Sequence, residues 1–460
     1  MNEAGRSAAR EVAVKRDWTK GSVVRNLLSL SWPMVMQQVL YQLTMLVEMI
    51  WVGKLGIASI AAVGIGTLVF GLVMTALQGL AMGARALIAR FIGAGDNEGA
   101  VHVARQAFIM GVGYAVVFSV VGFLFAEPVL RLFGLKPDVI SEGVKFLRVL
   151  FAGWVTMSFW AVAYSIMQAS GDAMTPLKIQ VVARSLHVLL YPFLIFGWWV
   201  FPIMGISGAA LTQVLSQSLA AVMGVWALLN GRSQLQLTLK NLSIDFGVIW
   251  RIMKIGIPAA IMGEGRSFGN LVLAWFMVPF GTVPVAAHSL VRRVETMLTV
   301  PSGPIGSAAG VLAGQNLGAR QPGRAERNGW LATGFVEIIM LAGSVVILLW
   351  AENIVRIFNT EPALVAVTST FLRIEAVGFL VYGFSTVLQQ CISNAGDTLL
   401  PMLISLFMIW LVQVPLAFLL PKITNLGAAG VQWAIVAGNL VGAVAYIVYF
   451  RLGTWKRKKV

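Results

Sequence analysis

The chain has 460 residues, of which 58% are hydrophobic and only 12% charged, about half the charged share of an ordinary soluble domain. That balance excludes a soluble globular enzyme, a disordered chain and a secreted disulfide scaffold. The lone cysteine, Cys391, allows no intrachain disulfide, and with three histidines it excludes most zinc and iron–sulfur sites. The net charge of +15 would suggest nucleic acid in a soluble chain, but in a lipid-solvated one lysine and arginine must first be placed by membrane side.

Residues 1–25 read as a polar cytoplasmic tail, with no short apolar stretch ending in a small-residue cleavage site. A membrane-crossing helix needs about 20 mostly apolar residues. Such runs follow at Asn26–Val47, Ile60–Ala84, Gln106–Ala126 and Val149–Ser170. Ser185–Gly231 holds two more, turned at Phe201-Pro202 and Gly205…Gly208. A linker at 230–250 separates these from Ser267–Val291, Thr296–Ala319, a span near Leu331–Trp350 that contains Glu337, Ala376–Ala395, Thr398–Pro421 and Ile423–Phe450. The count is twelve. With those spans, 22 Lys and Arg fall in the termini and even-numbered loops, 7 in the odd-numbered loops and 5 within spans. The bias places both termini in the cytoplasm and accounts for most of the positive charge without nucleic acid. The basic tail 451–460, with Lys456–Lys459, reads as a surface anchor for anionic lipid.

The chain repeats at an offset of 225 residues. Pro33 matches Pro258, Gly56 matches Gly281, Glu127 matches Glu352 and Pro137 matches Pro362. Gly171-Asp172 matches Gly396-Asp397 and Pro176 matches Pro401, while Gly205 and Gly208 align better with Gly427 and Gly430. Six helices per half give the halves one orientation. The expected fold is an all-α integral membrane protein with lobes at 26–229 and 251–450, related by a parallel repeat about a pseudo-two-fold axis along the membrane normal. One chain then holds both lobes, so a monomer suffices.

Several motifs now resemble the multidrug and toxic compound extrusion (MATE) family over nearly the full length. They are S-W-P-M-V-M-Q-Q…L-V-E-M-I-W-V-G-K-L-G (Ser31–Gly56), G-L-A-M-G-A-R-A-L-I-A-R-F-I-G-A-G-D (Gly79–Asp96), M-Q-A-S-G-D-A-M-T-P (Met167–Pro176), P-F-G-T-V-P-V-A-A-H (Pro279–His288) and C-I-S-N-A-G-D-T-L-L-P (Cys391–Pro401). The resemblance implies an antiporter in the cell membrane that exports small organic compounds, often cationic and amphipathic, against entering protons or sodium. It implies no ATP hydrolysis, and the sequence has no Walker-type phosphate loop. No cofactor is expected.

An ionisable residue inside a span is a functional hypothesis by default. Glu48 stands first, in the outer half of span one, after Gln38, Gln42 and Thr44. It could exchange a proton or coordinate sodium; the alternative is a wetted carboxylate paired with Lys54. The resemblance implies a carboxylate there, commonly Asp. In span five the family's Asn and Asp-Pro are replaced by His187 and Tyr191-Pro192. A Glu48–His187–Tyr191 set suits protons better than sodium. The sodium-linked branch's second-half carboxylates map to Arg266 and Tyr382, so those roles are not carried over. Instead His288, Arg292 and Glu295 share one face of span eight. An Arg266–Glu295 pair is expected near mid-membrane, with Arg292 adjacent and Glu264 on another face of its helix. That cluster reads either as a structural bridge or as a second substrate or proton site. Asp172 and Asp397 are expected to cap helices, and Glu127…Arg131 and Glu352…Arg356 to form local ion pairs. The rival function is a flippase for a lipid-linked precursor. No constellation for an integral-membrane enzyme is present.

Overall fold

The computed structural model describes residues 16–238 and 243–458. Residues 1–15 of the expected tail, 239–242 of the expected linker and Lys459 of the basic cluster lie outside the described residues. Among the described residues all regular structure is helical. Hydrocarbon offers backbone groups no hydrogen-bond partner, so each spanning segment must satisfy its own.

The spans are α1 (Val23–Gly53), α2 (Ile57–Gly93), α3 (Asn97–Leu132), α4 (Pro137–Ala152 and Trp154–Ala169), α5 (Met174–Phe196) and α6 (Gly205–Leu229). The second half gives α7 (Phe246–Trp275), α8 (Thr282–Thr299 and Ser302–Gly318), α9 (Pro322–Phe358), α10 (Pro362–Phe379 and Tyr382–Asn394), α11 (Leu399–Ile423) and α12 (Ala428–Leu452). Nine of these and the bent pair of α4 are long and apolar enough to cross a bilayer. The more polar α1 and the broken α8 complete twelve, in two bundles of six.

The breaks have local causes. α4 bends by 53° at Gly153, where a Cβ would lie 2.3 Å from Val214 of α6. α8 breaks at Pro301, which has no N–H to donate. α11 widens into a π-turn over Phe407–Gln413, just before Pro415. The repeat reappears in the backbone: Gly56 and Gly281 have φ of 108° and 98°, Gly171 and Gly396 have 82° and 101°, and Gly205 and Gly427 have 54° and 52°. Left-handed φ of this kind favours glycine.

Four expected spans are corrected at their starts; the fourth begins at Pro137 rather than Val149 and the eighth at Thr282 rather than Thr296. The seventh runs from Phe246, not Ser267, and a short turn at Val278–Phe280 falls inside the expected Ser267–Val291. A search for uncharged runs rejects Arg251, Lys254, Glu264 and Arg266, which α7 carries, and passes through an uncharged turn. The tenth begins at Pro362 rather than Ala376 and takes in the buried Glu375. Smaller shifts put Val23–Arg25 in α1, Phe246–Trp250 in α7 and Arg451–Leu452 in α12, rather than in tail or linker.

Both described termini lie at one end of the bundle. Arg324 donates to the Lys20 carbonyl at 2.9 Å, and Lys456 pairs with Glu326 at 2.6 Å. The lobes meet closely at that end. A Cβ on Gly83 would lie 2.3 Å from the Ile252 carbonyl oxygen, one on Gly93 1.9 Å from that of Gln315, and one on Gly318 2.1 Å from that of Arg90. Glycine there lets the backbones touch. Polar bonds cross the same seam. Arg85 donates to Ser307 at 3.0 Å, Arg90 to the Ala395 carbonyl at 2.8 and 3.2 Å, and Gln315 to the Ala169 carbonyl at 2.8 Å. At the other end Arg293 approaches Met49 Sδ at 3.4 Å.

Asp245 fastens the start of α7 to the first lobe. Its carboxylate accepts the Gly247 and Val248 N–H groups at 2.9 and 3.1 Å and lies 2.9 Å from His102 Nε2. His102 first, then those amides, hold the Asp245 carboxyl below its ordinary value. A carboxyl so depressed stabilises the fold above its unfolded pKa and loses that contribution as pH falls through the folded one. Acidification below about pH 4 therefore lowers the melting temperature of the parent chain more than that of Asp245→Asn, as differential scanning fluorimetry in detergent will show.

Gly93→Val places side-chain atoms where the Gln315 backbone now sits. It opens the end bearing the termini. In an Ala395→Cys background, whose position is fully buried here, thiol labelling from that side rises when Gly93→Val is added.

Candidate functional site

The first-lobe site forms where α1, α5 and α6 meet. α5 carries Arg184, His187 and Tyr191 at i, i+3 and i+7, one face of the helix. Gly208 of α6 lies against the Leu194 carbonyl of α5, where a Cβ would be 2.3 Å away. From that contact the antiparallel helices run two turns toward the termini end and bring Ser216 to His187, Oγ to Nδ1 at 3.0 Å. From α1, Glu48 Oε1 reaches His187 Nε2 at 2.8 Å, with the ring nitrogen off its donor axis. The imidazole is 1% exposed and the Glu48 side chain 25%. The Tyr191 ring stacks on His187 at 5.2 Å.

The structure thus brings Glu48, His187 and Tyr191 together. Tyr191 contributes its ring face, and no hydrogen bond of its hydroxyl is present among the described residues. Lys54 lies 4.3 Å over the Trp51 ring instead of pairing with Glu48. Thr44 turns its hydroxyl back to the Leu40 carbonyl at 2.8 Å. Gln38 and Gln42 are half-buried on α1 and make no side-chain hydrogen bond among the described residues. Two participants escape sequence reading. Arg184, over the Tyr41 ring at 5.0 Å, interacts electrostatically with Glu48; it lies one residue before the uncharged run, on the His187 face. Ser216 depends on the register of α6 against α5, for which the sequence has no signal.

The second-lobe site is a polar cavity of about 100 Å³ whose lining includes Arg266, Arg292, Glu295, Tyr382, Gln389 and Tyr446. The expected Arg266–Glu295 pair is not formed. Arg266 donates to Gln389 Oε1 at 2.8 Å, and Glu295 takes Arg292 at 2.5 Å. Counting residues from the turn fixes height in the membrane but not the direction a side chain leaves its helix, and Arg292 lies within one turn of Glu295. His288 leaves this group: it is buried, with Nδ1 3.0 Å from Gln432 Nε2 of α12. Glu264 leaves α7 on another side, beside Gly263, where a Cβ would meet Thr75 of α2 at 2.6 Å. It interacts electrostatically with Tyr114 of α3, and both its carboxylate oxygens are buried without a hydrogen-bond partner. Glu375, only 2% exposed, interacts electrostatically with Glu295 and Arg292. Its signal was the acidic residue immediately before the uncharged run at Ala376.

The repeated acids diverge. Asp172 caps α5 by accepting the Thr175 N–H at 3.0 Å. Asp397 does not cap α11; it accepts Lys458 Nζ at 3.0 Å and the Tyr449 hydroxyl at 2.5 Å. Glu127 pairs with Arg131 at 2.6 Å, and Glu352 lies 3.9 Å from Arg356 and 3.5 Å from Arg373. No group of three or more His, Cys, Asp or Glu able to hold a metal is present among the described residues.

A family model, MatE, matches residues 33–193 and again 258–419, segments that begin at the repeat offset. The probable multidrug resistance protein YoeA of Bacillus subtilis is 27% identical over 98% of each chain. The probable multidrug resistance protein NorM of Thermotoga maritima is 25% identical over 95% of this chain and 94% of its own. Among solved structures, a MOP superfamily transporter from Pyrococcus furiosus, described as having a binding pocket of reverse polarity, superposes with a TM-score of 0.89 at 26% identity, over 96% of this chain and 98% of its own. An outward-facing multidrug resistance MATE family transporter does so with 0.89 at 25% identity, over 96% and 98%.

His187→Ala empties the space of a buried imidazole and removes its contacts to Glu48 and Ser216, and a large-to-small change in a packed interior costs roughly 2–5 kcal/mol. Tyr191→Phe keeps the stacked ring. Thermal unfolding in detergent therefore ranks His187→Ala well below the parent chain and Tyr191→Phe close to it.

Proposed function

We propose that this chain, which belongs to the MatE family of multidrug efflux transporters, is a secondary-active antiporter that exports organic, amphipathic or cationic compounds by alternating access, driven by proton entry through the Glu48–His187 pair. It sits in the cell membrane with both termini in the cytoplasm. The contacts that close the lobes then lie on the cytoplasmic side, and this state opens outward.

The observation that carries the reading is the hydrogen-bond order around His187. The Ser216 hydroxyl donates to the Gln213 carbonyl at 3.0 Å. A hydroxyl has one proton to give, so with that proton on Gln213 the donor between His187 and Ser216 is Nδ1. The 2.8 Å contact between Nε2 and Glu48 Oε1 then has one proton to share in the neutral pair. Its loss leaves a carboxylate facing an imidazole lone pair, which repel, and its return draws α1 and α5 together. Proton occupancy is thereby tied to helix position. An imidazole nitrogen as the nearest partner, with the Thr44 hydroxyl turned away, supports a proton over sodium, which takes oxygen ligands. In the second lobe Arg266, Arg292 and Glu295 serve as a second polar site for substrate.

Dye efflux in energised everted vesicles, with proton and sodium gradients imposed separately, tests this. Proton-driven efflux is expected in the parent chain and abolished in Glu48→Gln, with His187→Gln impaired. Sodium-driven efflux, or full gradient-coupled activity in Glu48→Gln, would overturn the assignment.

A further inference from the structure

At the end bearing the termini, a groove of about 590 Å³ lies between the start of α7, the loop from α10 to α11 and the C-terminal segment. Three cations border it, Arg251, Lys254 and Lys458. Asp397 also lines it, but its carboxylate is fully buried and already held by Lys458 and Tyr449. The groove therefore presents a net positive charge of about two at the level where the helices leave the hydrocarbon.

Its walls are apolar. Its lining includes Trp250, Ile257 and Pro258 of α7 and Leu399 of α11, with Ile257 40% and Leu399 51% exposed. The two helices touch higher up, where a Cβ on Gly265 would lie 2.4 Å from Leu406 and one on Gly269 2.2 Å from Ile409. An apolar wall thus stands directly beside the cationic rim. Trp250, 63% exposed at the rim, fits the interfacial belt where tryptophan collects.

We infer that this groove binds an anionic glycerophospholipid, its phosphate on Lys254, Arg251 and Lys458 and one acyl chain along Ile257 and Leu399. The inference rests on the reading that this end lies at a membrane surface. The groove is made from parts of the lobe seam. Ile252 meets Gly83, Arg90 grips the Ala395 carbonyl, and Thr398 donates to the Ile255 carbonyl at 2.7 Å. A lipid seated there ties α7 to the α10–α11 loop and holds the second-lobe side of the seam in one piece.

The test uses the full chain in nanodiscs of phosphatidylcholine with a minority of phosphatidylglycerol, followed by native mass spectrometry of retained lipid. Lys254 is exposed and bonded to nothing among the described residues, so Lys254→Gln leaves the fold intact. It is expected to weaken phosphatidylglycerol retention roughly 5-fold, and Lys254→Gln with Lys458→Gln roughly 30-fold. Lys254→Arg restores it, and Lys178→Gln, an exposed lysine on α5, leaves it unchanged. Equal retention in Lys254→Gln and the parent chain would overturn the site, as would displacement of the lipid by inorganic phosphate alone. Failure of the chain to enter nanodiscs would instead overturn the membrane reading.

Discussion

Hydrocarbon supplies no hydrogen bonds, and the placement of many polar groups in this chain answers to that constraint. Isolated hydroxyls turn back on their own helices: Thr75 donates to the Gly71 carbonyl, Thr212 to that of Gly208 and Thr333 to that of Gly329. Charged groups are met differently: Glu48 and Arg266 find partners across helices, Arg292 and Glu295 pair within α8, and Glu264 has no hydrogen-bond partner among the described residues. The cross-helix contacts tie α1 to α5 and α6 in the first lobe, and α7 to α10 in the second. Where the two lobes meet, the seam relies on backbone contact at glycines and on arginines donating to neutral acceptors. Such bonds are less screened by salt than exposed ion pairs and leave less charge stranded when they break.

The halves share a fold but not a chemistry. At the repeat offset Glu48 corresponds to Leu273 and His187 to Val412; Glu295 corresponds to Phe70 and Glu375 to Leu150. At these four positions each lobe has a hydrocarbon side chain where the other keeps an ionisable one, while Arg266 and Arg292 correspond to Tyr41 and Thr67. The first lobe retains one carboxylate and one imidazole, a pair able to share a single proton, with the Arg184 guanidinium nearby. The second retains two guanidinium groups and two carboxylates around a cavity, a set that balances its own charge. Duplication supplied the scaffold, and the division of labour lies in a few side chains.

Much of this was legible in the sequence because hydropathy and periodicity report on one helix at a time. The twelve spans, the turn after Phe201-Pro202 and the two-bundle fold follow from runs of apolar residues and a repeat. Glu48 and His187 were visible because a lone ionisable group in a span stands out. What stayed hidden depends on two helices at once. Arg266 and Glu295 do lie on one cavity, yet Gln389 and Arg292 intercept them, since level in the membrane says nothing of azimuth. Ser216 could be found only from the α5–α6 register. Glu375 and the true start of α7 were lost for another reason: a rule seeking uncharged runs cuts helices at the charged residues that matter most.

The π-turn in α11 bears on how the two lobes drifted apart. Its residues, 407–413, correspond at the repeat offset to 182–188 of α5, the stretch that holds Arg184 and His187. One copy kept regular helix and placed its chemistry in side chains. The other winds there as a π-turn, a feature frequent at functional sites, and with it Gln413 reaches the cavity beside Asn439. Deleting a single residue there would restore ordinary winding and turn Gln413 about 100° away. The helix would register that event as a repair, and the cavity as a loss.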